Sequence, residues 1–234
     1  MLSAFGHERA LNAVRLSSVS PEKRAPLDRR RVADTALRLL NESGLEGLTL
    51  RAIAKELDVK APALYWHFKD KQALLDEMAT EMYRRTVAGS ALDPADTWRE
   101  RLLTSSRGLR AALLGYRDGA KVFSGSRFTG TEFAPAMEAN LRLLTGAGLT
   151  VAQAVHAGRT AHTYTVGFVI EEQGVRPLPG ERREGYDITE RARRLAEYPL
   201  AAEAGGLLFD GYDEQFEEGL AIVVAGIGAR YGLA

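Results

Sequence analysis

Residues 48–75 read LTLRAIAKELDVKAPALYWHFKDKQALL, and this stretch decides the fold. Thr49 is the kind of hydroxyl residue that caps a helix, and Ile53, Ala54 and Leu57 follow it at helical spacing. Asp58 and Val59 make a tight turn. Ala61–His67 then forms another short helix with Pro62 in its first turn, where a missing N–H costs nothing. Lys69 and Asp70 interrupt it, and a longer amphipathic helix starts near Lys71, with Leu74, Leu75, Met78 and Met82 on one face. Upstream, Val32, Ala36, Leu39 and Leu40 recur on a supporting helix that Gly44 closes. Two short helices joined by a tight turn on a supporting helix are the plan of a DNA-reading helix-turn-helix. Small Ala61 and Ala63 let the backbone approach base edges, while the Tyr65 hydroxyl, the Trp66 ring N–H, His67 and the Lys71 cation can grip successive phosphates. Leu64 reads as core; for Trp66, packing stands as the bland alternative.

Outward from this unit, nearly everything past Pro26 carries helical periodicity. Stretches near 97–114, 131–145, 151–172, 189–204 and 212–231 are separated by Gly and Pro, and none alternates at period two. The expected fold is therefore all-α. A helix-turn-helix domain at 27–73 is followed by a larger helical domain at 74–234. The polar, Pro/Gly-rich segment 173–185 reads as an exposed loop. Residues 1–26 have no sustained periodicity and scattered arginines, which reads as a basic, flexible extension, or as an arm for a neighbouring minor groove.

Charge agrees with that division. The chain is neutral overall, yet residues 1–87 carry 15 Lys/Arg against 12 Asp/Glu, and residues 88–234 carry 16 against 19. A basic front and an acidic back suit a protein whose front alone meets phosphate. No apolar run approaches the roughly 20 residues of a membrane span. No cysteine is present, which rules out disulfides and fits a cytoplasmic setting. The four histidines form no metal-ligand motif, and no nucleophile elbow or phosphate loop occurs, so neither a metal, a cofactor nor an enzyme is expected. Glu171, Glu172 and His162 keep a helical-cavity enzyme as a remote alternative.

The run from Leu48 to Leu75 resembles the helix-turn-helix signature of the tetracycline-repressor family, with Asp58 where the family usually has glycine. The resemblance continues through Trp98, Arg110, Leu113–Leu114, the sequence RDGAKV at 117–122, Gly125, Arg127, GLT at 148–150, Gly167, Glu171 and Gln173. It implies that Arg51 contacts a base, that Ala61, Pro62 and Ala63 face bases, and that Thr49, Tyr65, Trp66, His67 and Lys71 hold phosphates. It implies a homodimer on palindromic operator DNA and a ligand-binding, dimerising role for 74–234, with the apolar segments 151–170 and 220–227 paired across a two-fold axis; a charge at Val224 or Ile227 is expected to dissociate the dimer or prevent folding. It also implies induction, in which a small molecule moves the short helix at 117–125, pivots the helix at 71–87 and spreads the recognition helices.

The departures bear on the ligand. The position of the family's metal-binding histidine is Phe123 here, and other drug-contacting positions are Val87, Ser105, Leu109 and Asn140. One remaining carboxylate, Glu171, makes a poor Mg²⁺ site without the imidazole. The expected pocket is therefore metal-free and more apolar, lined by Val87, Ser105, Leu109, Phe123, Arg127, Phe128, Met137, Asn140, Arg159, Thr163 and Glu171. Arg159 and His162, charged or titratable residues in an otherwise apolar helix, are expected to meet a dimer mate or a polar ligand edge. The Arg-over-Lys bias suits a GC-rich bacterial genome, and with the resemblance it points to an antibiotic or polyketide sensor controlling an efflux or biosynthetic gene. A regulator that activates, or works through a protein partner, is the alternative.

Overall fold

The computed structural model describes residues 27–89, 93, 95–185 and 187–233. The expected basic extension at 1–26 lies outside the described residues. Among the described residues every regular element is an α-helix, eleven in all, and no strand occurs.

The head is built from α1 (Arg29–Gly47), α2 (Leu50–Glu56) and α3 (Ala61–Tyr65). Asp28 caps α1 by accepting from the Arg31 amide at 2.8 Å, and the Thr49 hydroxyl caps α2 by accepting from Ala52 at 3.1 Å. The helical path of α1 breaks at Gly44, whose φ of 70° suits glycine, so the expected stop sits in the right place although the last turn resumes after it. Asp70 caps α4 (Lys71–Gly89) through the Ala73 amide at 2.8 Å.

The larger part comprises α5 (Trp98–Leu114), α6 (Gly119–Phe123), α7 (Ala134–Gly146), α8 (Val151–Val175), α9 (Ile188–Arg194), α10 (Pro199–Phe209) and α11 (Tyr212–Tyr231). Capping boxes start α5 (Thr97 with Glu100) and α8 (Thr150 with Gln153). Two expectations need correction. The single helix at 189–204 is two, because Pro199 cannot accept continuation and instead opens α10. The loop begins later than residue 173: α8 runs to Val175, and Gln173 is buried in it.

Two apolar clusters organise the molecule. One joins Val32, Leu40, Ile53, Leu64 and Phe68 of the head to Leu74, Met78 and Met82 of α4 and on to Leu113, Val122, Phe123 and Val169. The head and the sensing part thus share one continuous core, with α4 as the shaft between them. The other cluster packs Trp98 and Leu102 of α5 and Ala154, Ala157 and Ala161 of α8 against Phe216, Leu220, Val224 and Ile227 of α11. Val224 and Ile227 therefore fill this chain's own core, so of the two expected effects of a charge there, failure to fold is the one this packing favours. Arg110 pins the same three helices: it reaches Glu172 at 2.8 and 2.9 Å and Asp213 at 2.7 Å, lying over the Phe216 ring.

Candidate DNA-reading head and ligand pocket

The head hides one side of α2 and α3 and shows the other. Ile53, Ala54, Leu57 and Leu64 are buried, while Arg51, Lys55, Lys60, Pro62, Tyr65 and Trp66 face outward. Packing explains Leu64 and fails for Trp66, which is 92% exposed, so its indole is available to a partner. Asp58 adopts φ 53° in the turn between the helices, a left-handed conformation that explains why glycine suits this position and Asp is tolerated. No side chain caps α3: Pro62 has no N–H, and the Ala63 amide donates to the Lys60 carbonyl at 2.9 Å.

Two contacts bind the head's reading side to its frame. The His67 carbonyl accepts from the Arg29 guanidinium, which also lies 4.5 Å from the Phe68 ring centroid. Lys71 Nζ donates to the Leu45 carbonyl at 3.1 Å, at the end of α1. An ammonium has three N–H groups, so this contact orients Lys71 and leaves donors for a phosphate.

The sensing part holds an aromatic cluster. The Phe128 ring lies 4.7 Å from Tyr83, 5.7 Å from Phe123 and 5.7 Å from Phe133, and Phe123 lies 6.1 Å from His162. Leu109 and Ile170 pack against the larger apolar core that includes Phe123, and Ser105 sits half-buried one turn before Leu109. Burial, and then the Arg159 charge, hold the His162 imidazole below its ordinary pKa, so it is neutral among these rings. Rings from α4, α6, α8 and the loop before α7 thus converge on one spot.

Other expected pocket residues are not brought there. Arg159, Thr163 and Glu171 are exposed and stand four or eight residues apart, on the outward face of α8. The expectation of a buried charge at Arg159 is corrected accordingly. The neighbour of Glu171, Glu172, is the buried carboxylate, and Arg110 claims it. Val87 and Met137 are partly exposed. Arg127 turns outward too, its backbone amide donating to Asp76 at 3.0 Å. Asn140 is half-buried and bound to Arg101. Sequence reasoning passed over Tyr83 and Phe133, although Tyr83 lies one turn before Val87 and Phe133 five residues beyond Phe128.

Between pocket and head lies a corner made by the RDGAKV motif. Asp118, at φ 54°, accepts from the Leu45 amide at 3.0 Å. Arg117 donates twice to Asn41: its backbone amide to Oδ1 at 2.9 Å and its Nε to the carbonyl at 3.0 Å. Gly119 is required because a Cβ there would sit 2.3 Å from the Leu113 carbonyl oxygen. Gln173 locks α6 from the other side, accepting from Ala120 at 3.1 Å and donating to the Tyr116 carbonyl at 2.7 Å. These contacts tie α6 to the end of α1, where Lys71 also docks.

Comparison with known proteins agrees with this geometry. Residues 32–78 match the model of bacterial regulatory proteins of the tetR family, and residues 91–231 match the tetracyclin repressor-like C-terminal domain. The tetracycline repressor protein class A from transposon 1721 of Escherichia coli is 41% identical over 206 residues, 85% of this chain and 89% of that protein. The crystal structure of a possible TetR family transcriptional regulator from Streptomyces coelicolor A3(2) is similar with a TM-score of 0.73 and 35% identity, covering 86% of this chain and 99% of that one. The Streptomyces coelicolor protein ActR in complex with actinorhodin has a TM-score of 0.73 and 26% identity over 89% of this chain and 100% of its own. A helix-turn-helix head on a helical sensing domain, matched over both parts, makes this chain a member of the TetR family of transcriptional regulators.

Proposed function

We propose that this chain is a ligand-responsive transcriptional repressor, a homodimer that holds a palindromic operator and lets go when a small aromatic natural product enters the sensing domain. It acts by binding rather than by turnover. The observation that carries the reading is the cluster of Phe123, Phe128, Phe133, Tyr83 and His162, placed against α6, the element that grips the head. Relatives whose names record tetracycline or actinorhodin support a polycyclic ligand class. Phe123 offers a ring face where a metal-dependent site needs a lone pair, so induction proceeds without a divalent cation. A ligand that prefers the splayed head about 100-fold over the DNA-ready one contributes about 2.7 kcal/mol to release.

A gel shift against the DNA upstream of the protein's own gene, challenged with polycyclic natural products, tests this. Release by an inducer is expected to be unchanged by EDTA, and tetracycline with Mg²⁺ is expected to be weak or inert. Phe123→Ala is expected to blunt release while leaving operator affinity without ligand within about threefold, a difference of about 0.6 kcal/mol. Metal-dependent release would overturn the pocket chemistry, and failure to bind DNA would overturn the regulator.

A further inference from the structure

Glu77, on α4, is 4% exposed, and a carboxylate buried to that depth needs donors. Separate elements supply them. Arg29, at the start of α1, donates its Nε to Oε2 at 2.8 Å. Thr129, in the loop before α7, donates its hydroxyl to the same oxygen at 3.0 Å. Arg84, two turns along α4, reaches Oε1 at 3.4 Å. Each donor has a second attachment. Arg29 also donates to the His67 carbonyl, just past α3, and lies over the Phe68 ring. Thr129 directly follows Phe128 of the aromatic cluster, and its amide donates to the Thr80 hydroxyl at 2.9 Å. Arg84 holds Glu132, the neighbour of Phe133, at 2.9 and 3.0 Å.

The loop that carries two of the cluster's rings and the end of the reading helix are therefore joined through one carboxylate. These groups line an open cleft, with Asp28, Arg30 and His67 on the head's side and Arg84 and Glu132 opposite. Partly solvated ion pairs rearrange at low cost, whereas close-packed apolar contacts resist small shifts. Resting on the proposed reading of the head as DNA-binding and of the rings as the ligand site, we infer that Glu77 is a positioning residue that sets the reading helix from the ring-bearing loop. This link is separate from the corner at Asp118, because it crosses α4 and bypasses α6. A displaced Phe128 carries the Thr129 hydroxyl away from Oε2. Arg29 then re-seats on the carboxylate and shifts the His67 end of the helix.

Amide exchange in the full-length protein, followed residue by residue by NMR, tests the link without DNA or ligand. Exchange at Leu220, in the other apolar cluster, serves as the reference for global unfolding. Thr129→Val keeps the side chain's shape and removes the hydroxyl. Relative to Leu220, it is expected to speed exchange at His67 and Phe68 at least about threefold, above the roughly twofold scatter of independent sites. Thr129→Ser keeps the donor and is expected to match the wild type. Arg29→Met cuts the path at its other end, so adding Thr129→Val to it is expected to leave both head amides unchanged. A merely local role for Thr129 would quicken exchange only within 126–133, and that result would overturn the inference. So would an equal effect of Thr129→Val with and without Arg29. Should Arg29→Met fail to fold, the pair Thr129→Val and Thr129→Ser still decides. In parallel, Thr129→Val is expected to weaken binding to the DNA upstream of the protein's own gene by at least about threefold, with Thr129→Ser unaffected. Unchanged affinity would also overturn the inference. A wild type that does not hold this DNA would reject the regulator itself, while exchange at His67 and Phe68 still decides the link.

Discussion

Arg51 and Lys71 are both exposed on the head, and their surroundings suit them to different work. Arg51 projects from the first turn of α2, and a bidentate contact to guanine there would discriminate bases. Arg51→Ala is expected to lose about 1–3 kcal/mol of operator binding and to relax specificity at one base pair per half-site. Lys71, tethered to the Leu45 carbonyl, presents a point charge, so Lys71→Ala is expected to weaken all sequences alike and to lower the salt dependence of binding. Binding to a randomised operator library checks both, and identical specificity profiles would reject the division of roles. His162 makes a separate case. Burial and Arg159 depress its pKa in the folded state, while the unfolded imidazole keeps about 6.5. The unfolded chain then binds the extra proton first, so this contribution to stability is complete above the unfolded value and is lost as pH falls through it toward the folded one. Urea midpoints at pH 7.5 and 5.5 are expected to drop more for the wild type than for His162→Phe.

At the scale of elements, the proposed coupling between sensor and head runs through the corner of Arg117 and Asp118. Burial raises the Asp118 pKa, but the Leu45 amide, Lys121 and Arg117 outweigh it and hold the carboxyl below the ordinary range. Its grip on α1 is therefore present above the unfolded value of about 4 and fades as pH falls below it. Asp118→Asn is expected to speed amide exchange at Leu45 at neutral pH and to separate ligand binding from DNA release, because α6 then moves without pulling α1. Unchanged exchange at Leu45 would place the coupling elsewhere. The helix-turn-helix was legible because capping, turn chemistry and helical spacing all act within thirty residues. Arg110 was legible as a motif residue, but its partners Glu172 and Asp213 lie 62 and 103 positions on, a pairing that local pattern does not reveal. The same holds for the pocket: Tyr83, Phe128, Phe133 and His162 meet through tertiary packing. Helical phase on α8 decided the misplacements, since Arg159, Thr163 and Glu171 share one face and His162 another.

For the whole molecule, the proposed dimer would cover the outward faces of α8 and α11 with a second copy. Along α8, Val151, Val155, Arg159, Thr163, Gly167 and Glu171 are exposed at four-residue steps. On α11, Ile222 is 64% exposed among Ala221, Ala225, Gly226 and Ala229, whereas Leu220, Val224 and Ile227 point into the chain's own core. Small residues let helices from two copies approach closely, and a two-fold axis would bring each α8–α11 pair against its equivalent as a four-helix packing. Ile222→Arg places a charge on that outer face without touching the core. It is expected to yield a helical, folded monomer by analytical ultracentrifugation and circular dichroism. Operator affinity is expected to fall by about two orders of magnitude or more, because each head then binds its half-site without a tethered neighbour. Val224→Arg is expected to fail differently, by unfolding, since it buries an unpaired charge between α5 and α11. An Ile222→Arg protein that sediments as a dimer would move the interface off α11.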